Sequence, residues 1–449
     1  MKWNRGSLLH LSKHLNGKFQ LFRARNNCTI IIHFLRREKV AHGAQNPYNS
    51  VTKPSYSGYE RNQPYQPQPA AAEPRTDPVE VTALSEIFEY WRIVPGLSSV
   101  EPCKEAAYKS YITCDCSYDS YSSCHITNLN VSGQDINAEI PEALWNLTFL
   151  TALNLGKTYM TGKLSSSIGN LKQLRFLRLG ANALSGELPK ELGNLTDLRR
   201  LFLGPNNFTG SLPSELGNLK KLDLIYIHSC GFSGEIPSTF SNLKNLQFVW
   251  ASDNELTGRI PEFIGNWSSL RFLLEGNSFE GPIPSTFSNL TSMRHLMISD
   301  VSNGGSSLAF IKDMKSISIL YLRNNNISDS IPLNIGGYQN LTQLDLSFNS
   351  IKGKIPDSLY LMSSLTHLSL GNNKLDGTLP TRKSRSLIYI DLSYNYLLGD
   401  FPSWVNETNL RLNLVGNNFT TESPGISLSC RLWHWGFWYW RLTHSHQIF

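Results

Sequence analysis

Between Ile126 and Phe419 the apolar positions recur in a unit of about 24 residues. Three successive copies show it: LRFLRLGANALSGELPKELGNLTD from Leu174, LRRLFLGPNNFTGSLPSELGNLKK from Leu198 and LDLIYIHSCGFSGEIPSTFSNLKN from Leu222. Copies start at Ile126, Leu150, Leu174, Leu198, Leu222, Leu246, Leu270, Met293, Ile317, Leu341, Leu365 and Leu387, with a partial copy from Asn409. The LxxLxL stretch of each predicts a short strand whose fourth and sixth residues point inward while those between them face solvent. A unit this small cannot bury its apolar face alone, so the period predicts a solenoid of stacked coils. Strands in one sheet lie about 4.7–4.9 Å apart, so about a dozen give a parallel sheet of roughly 55–60 Å.

The rest of the unit sets the other walls. Asn at the ninth position (Asn182, Asn206, Asn254, Asn325, Asn349, Asn373 and Asn395) is expected to turn inward and satisfy backbone groups where the strand ends. Cys230 occupies that position and reads as a ladder residue rather than a reactive thiol. GxIP or GxLP follows, as in Gly186-Glu187-Leu188-Pro189, Gly210-Ser211-Leu212-Pro213, Gly258-Arg259-Ile260-Pro261 and Gly353-Lys354-Ile355-Pro356. Glycine permits the bend and proline prevents a helix from running through it, so the convex side is expected to hold extended segments and short turns. Departures fall at Thr158 and Val301 (no Asn) and at Ser165 (no Pro); the copy at Met293 replaces GxIP with Ser302 to Phe310. The unit resembles the plant-type leucine-rich repeat, which implies an α/β solenoid: a right-handed superhelix with a parallel concave sheet and a mostly irregular convex side.

The fifth position of each copy lies mid-strand on the concave side and reads Arg178, Phe202, Tyr226, Trp250, Met297 and Tyr321. Large aromatics on a solvent-facing column have no core role, and aromatics with Arg are common interface anchors. Arg175, Arg199 and Arg200 lie beside the upper end, with His228 and Asp253 further along. These residues are the candidate recognition surface; the competing reading is a sheet face covered by glycans or packed only for strand stability.

Net charge is +6, but residues 1–42 hold nine Lys/Arg and one acid, Glu38, which leaves −2 on the remainder and excludes a nucleic-acid-binding body. Residues 1–43 form a basic N-terminus whose Cys28-to-Leu35 run makes a poor signal segment; a mistaken gene start explains it equally. Residues 44–76 read as a Pro-rich linker, residues 44–78 carrying seven prolines. Residues 77–125 form an N-terminal cap: Asp77 at N-cap, Pro78 at N1 and Glu80 at N3 start a helix whose Leu84, Ile87, Phe88 and Trp91 share a face. Four of the seven cysteines, Cys103, Cys114, Cys116 and Cys124, sit in this cap and read as disulfides rather than a zinc site, with a direct Cys114–Cys116 bond the least suitable of the three pairings. The repeats are assigned to 126–425. Residues 426–449 form an aberrant aromatic tail whose origin reads as a frameshift or retained intron, and no stretch reaches the roughly 18–20 apolar residues of a membrane span.

Ten sequons lie in the repeats, at Asn130, Asn146, Asn194, Asn207, Asn266, Asn289, Asn326, Asn340, Asn406 and Asn418, and support secretion, although GNLT is partly a product of the repeat itself. The chain carries no HRD, DFG or glycine-rich kinase loop, and neither GxSxG nor HExxH. Gly156-Lys157-Thr158 matches only the end of a P-loop, since Thr151 stands where the first glycine is required. No enzyme, cofactor or metal is expected.

Thr76-Asp77-Pro78-Val79-Glu80-Val81, Glu101-Pro102-Cys103, Cys114-Asp115-Cys116 and Cys124-His125-Ile126 precede the repeats. Within them stand Gly276-Asn277-Ser278-Phe279-Glu280-Gly281-Pro282, Ser307-Leu308-Ala309-Phe310-Ile311, Leu344-Asp345-Leu346-Ser347-Phe348-Asn349 and Phe401-Pro402-Ser403-Trp404-Val405. Together these resemble the plant leucine-rich-repeat receptor kinases whose ectodomain adds a malectin-like domain, over residues 76 to about 430. The resemblance implies extracellular signal perception at the plasma membrane, with a protein or peptide ligand, a co-receptor ectodomain or cell-wall carbohydrate as partner. It carries over neither the membrane anchor nor the kinase output. A secreted inhibitor of a cell-wall enzyme, like the polygalacturonase-inhibiting proteins, is the second reading, and an intracellular scaffold the third.

Overall fold

The computed structural model describes residues 73–93, 101–267 and 270–420. The expectations for residues 1–43, for most of 44–76 and for 426–449 fall outside them.

Strand β1 (Arg75–Thr76) lies inside the stretch assigned to the linker, and it pairs in parallel with Ser123 and Cys124. Thr76 donates its backbone N and its Oγ1 to Glu101 Oε2 at 3.0 and 3.3 Å. Helix α1 (Pro78–Trp91) starts as its sequence requires: Asp77 Oδ1 accepts from the amides of Val79 and Glu80 at 2.9 and 3.2 Å. Ala83, Leu84, Ile87, Phe88 and Trp91 form its buried face, and Trp91 Nε1 donates to Glu139 O at 2.9 Å. That bond ties the helix to the first coil.

Strands β2 (Ile112–Tyr118) and β3 (Ser123–Asn130) form an antiparallel, bulged hairpin that carries Cys114, Cys116 and Cys124. Cys103 pairs with Cys114, and Cys116 with Cys124. Strand β3 belongs to the cap and the solenoid at once. From it the sheet continues in parallel through Ala152–Asn154, Phe176–Arg178, Arg200–Phe202, Leu224–Tyr226 and onward to Arg411–Asn413, fifteen strands in all.

Inside the coils Leu174, Leu177 and Leu179 are fully buried, as are most of their counterparts, each contributing about 2 kcal/mol by leaving water. The asparagine ladder closes the strand ends. Asn349 Oδ1 accepts from the Asn325 and Ile327 amides at 3.0 and 3.1 Å, and its Nδ2 donates to the Leu322 and Leu346 carbonyls at 2.8 and 2.9 Å. One asparagine therefore satisfies two coils. Asn277 and Asn417 each accept from one amide, of Leu256 and Leu397, and donate to two carbonyls in the same way. The convex wall consists mostly of single 3₁₀ turns such as Lys190–Asn194 and Ser214–Asn218, entered from Pro189 and Pro213, with one α-helical turn at Asp357–Tyr360. The glycine of each LGN is needed there, because a Cβ on Gly193 or Gly217 would come within 2.4 or 2.5 Å of the next coil's carbonyl oxygen.

Candidate ligand-binding surface

Register places the candidate residues in one line. Arg178 pairs with Phe202, Phe202 with Tyr226 and Tyr226 with Trp250; Met297 pairs with Tyr321. Between Trp250 and Met297 stands Leu273, a member of the line that the repeat count misses. Val249 pairs with Phe272, 23 residues on, whereas Phe272 pairs with Leu296, 24 residues on. That coil is one residue short, so counting from Leu270 lands on the wrong side chain. Asn277 is displaced from the ninth position for the same reason.

The concave face is more apolar than the fifth position alone suggests. Phe248, Leu273, Met297, Ile319 and Tyr321 form a buried cluster of their own, flanked by half-buried Leu224, Tyr226 and Trp250. Met297 and Tyr321 are each only 6% exposed, which corrects their expected solvent-facing role. The cause is register: bulky side chains repeated every 4.8 Å or so cover one another. Tyr321 donates its hydroxyl to Gln343 Oε1, and burial pushes its pKa up. Tyr226 is pushed up to about 12 by the same desolvation. Both remain neutral donors at ordinary pH.

Ring contacts run unbroken from Phe176 through Phe202 (5.4 Å) and Tyr226 (4.8 Å) to Trp250 (5.6 Å). His228 stacks flat on the Trp250 indole at 3.9 Å. The Arg178 guanidinium lies 6.0 Å from the centre of the Phe202 ring. Arg175, Arg199 and Arg200 are exposed beside it. Two acids temper this basic end. Arg200 Nε lies 3.9 Å from Asp223, and Asp197 binds Lys221 at 2.5 Å, a bond that, with Arg175 and Arg199 nearby, lowers its pKa. Asp253 stands on the exposed rim with φ at 56°.

The line continues past the predicted residues as Asp345, Ser369, Asp391 and Asn413. Asp345 accepts from the Ser347 amide and hydroxyl at 2.9 and 2.6 Å, and burial still raises its pKa. All ten sequon asparagines are exposed. Asn146, Asn194, Asn266, Asn289 and Asn406 end convex 3₁₀ turns. Asn130 instead pairs with Asn154, which pairs with Arg178, so it heads the concave line.

Models of the leucine-rich repeat match residues 173–195, 197–219, 218–243, 245–267, 315–375 and 386–407. Two probable leucine-rich-repeat receptor-like serine/threonine-protein kinases of Arabidopsis thaliana are 51% and 50% identical over 90 residues, covering 17% of this chain and 9% of each relative. The ectodomain of the Arabidopsis thaliana membrane receptor kinase GASSHO1/SCHENGEN3, solved with Casparian strip integrity factor 2, superposes with a TM-score of 0.64 at 29% identity over 75% of this chain and 44% of that one. The chain carries leucine-rich repeats, and its solenoid is similar to plant receptor-kinase ectodomains. PEPR1, solved with AtPEP1, gives a TM-score of 0.65 at 28% identity, covering 77% of this leucine-rich-repeat chain and 52% of that one. A TDR receptor gives 0.57 at 34%, covering 63% and 50%. The chain thus spans about half of these solved ectodomains and about a tenth of the curated relatives' length.

Proposed function

We propose that this chain is the extracellular recognition segment of a plant receptor-like kinase, of the type whose ectodomain also carries a malectin-like domain, and that its concave line binds a protein or peptide ligand or a co-receptor ectodomain. The observation that carries this is the continuous apolar floor from Phe176 to Tyr321 beside Arg175, Arg178, Arg199 and Arg200. A floor of packed rings joined to a cationic end offers aromatic and Arg anchors of the kind that dominate interface energy. GASSHO1/SCHENGEN3 and PEPR1 were each solved with such a partner, Casparian strip integrity factor 2 and AtPEP1. An extracellular place accords with the two cap disulfides. No helix among the described residues is long and apolar enough to cross a membrane.

The test screens secreted plant peptides for binding to the immobilised chain, then repeats the measurement with Tyr226→Ala plus Trp250→Ala. The proposal expects a loss on the order of a hundredfold in affinity. Unchanged affinity in the double variant would remove the concave line from recognition.

A further inference from the structure

We propose that a cleft on the flank of the solenoid, lined by Asp300, Asn303, Asn324, Asn326, Phe348 and Ser350, binds one or two rings of a neutral saccharide. It is separate from the concave line and does not depend on that reading.

The cleft lies where the flank loses its regular pairing. Elsewhere successive coils join there by short parallel strands, Ser185–Gly186 with Asn207–Phe208, Ser233–Gly234 with Glu255–Leu256, and Lys352–Lys354 with Lys374–Asp376. A bridge from Glu280 to Ser302 is the last before the break, and bonding resumes one joint later, where the Ser350 and Lys352 amides donate to the Ile327 and Asp329 carbonyls at 2.7 and 3.2 Å. In the two intervening coils GxIP is altered. The copy at Met293 has lost it, and the next carries Asp329 in place of the glycine, turned back to accept from Ser307 Oγ and the Leu308 amide at 2.6 and 2.8 Å. The opening that results holds about 340 Å³, within the roughly 300–1,000 Å³ of small-molecule sites.

Its lining has the chemistry of a polyol site. Asp300 Oδ1 accepts from Asn324 Nδ2 at 2.8 Å, and Oδ2 accepts from Ser299 Oγ at 2.6 Å. A carboxylate so fixed retains lone pairs for about two more donors, and each Asn amide offers both a donor and an acceptor. Sugar hydroxyls both donate and accept, so they match that mixture. Phe348 supplies the ring against which the polarised C–H face of a pyranose packs. The Arg323 guanidinium lies 4.1 Å from the centre of that ring. The Asp300 carboxylate in the lining disfavours an acidic sugar, a bias that the Arg323 guanidinium beside Phe348 reduces. Phe348 is held at φ 57°, the left-handed conformation that Ala181, Asp253 and Asn372 share at the same place in their own coils, so it belongs to the repeat.

Asn326 begins the sequon Asn326-Ile327-Ser328. The saccharide can thus come from a free polymer fragment or from a glycan carried on Asn326 itself. The experiment separates the two by Ser328→Ala, which abolishes the sequon but keeps the Asn326 amide. The secreted full chain with this change, checked for folding by circular dichroism, is titrated with cellobiose, mannobiose, N,N′-diacetylchitobiose and digalacturonate by calorimetry and saturation-transfer NMR. The proposal expects a neutral disaccharide to bind and digalacturonate to bind on the order of tenfold more weakly. Phe348→Asn, which tolerates the left-handed backbone, and Asp300→Asn should each weaken the neutral sugar on the order of tenfold. Equal binding by the sequon-bearing and Ser328→Ala chains supports a free saccharide; binding only after Ser328→Ala supports the chain's own glycan. Absence of binding by all three neutral disaccharides at millimolar concentration, or binding indifferent to both Phe348→Asn and Asp300→Asn, overturns the proposal.

Discussion

Glu80 accepts a hydrogen bond from the Ile126 amide across 2.6 Å, so a cap helix carboxylate completes the backbone of the first repeat strand. Its other oxygen meets His125 Nδ1 at 3.2 Å, and both side chains are buried. Removing it with Glu80→Ala strands the Ile126 amide and should cost about 2–3 kcal/mol. Urea midpoints of the two chains check this.

The same residue gives a pH dependence with a definite sign. Desolvation raises the Glu80 pKa above 4.5, outweighing the Ile126 and His125 bonds that lower it. A raised folded-state value means a contribution to stability that is full below the unfolded value and is lost as pH climbs through the folded one. Glu80→Gln should flatten this part of the stability profile, seen as a smaller fall in urea midpoint between pH 4 and 7.

Asn254 Oδ1 accepts from the Cys230 and Phe232 amides, each at 3.1 Å, and its Nδ2 donates to Ile227 and Ala251 carbonyls at 2.8 and 3.0 Å. Asn254→Ala leaves several buried groups unpaired, at a cost of about 3 kcal/mol. Amide hydrogen exchange should quicken first at Cys230 and Phe232.

Burial pushes the Cys230 thiol up to about 12. A thiol so protonated and enclosed is a poor nucleophile. Iodoacetamide at pH 8 should leave the native residue unmodified and alkylate it in guanidinium, as peptide mass spectrometry will show.

Peptide mapping without reduction should recover Cys103 linked to Cys114 and Cys116 linked to Cys124. Cys116→Ser plus Cys124→Ser should lower stability by about 2–3 kcal/mol, since the closed loop is short.

Much of this was legible. Leu177 and Leu179 announce their strand by alternation, Asp77 and Pro78 announce their helix, and Asn206 announces the ladder. Other features need three dimensions. Glu80 reads as an N-terminal helix residue, and only the docking of α1 turns it toward Ile126. The Cys116–Cys124 bond follows from the hairpin register that sets Asp115 opposite His125, which spacing alone leaves open. Leu273 escaped because a single missing residue shifts the count. The burial of Met297 and Tyr321 comes from cross-strand crowding with Phe248, Leu273 and Ile319, which a column read one coil at a time does not show.

Strand register carries the stack forward by one strand spacing per coil, and at Gly193 and Gly217 the bare glycine lets the next coil's carbonyl come close. Gain or loss of one whole unit would therefore slide everything downstream by about 4.8 Å and leave each joint intact. Duplication could in this way lengthen or shorten the gap between the arginines and the ring floor without redesigning either, and a lineage could retune its ligand's length by counting coils.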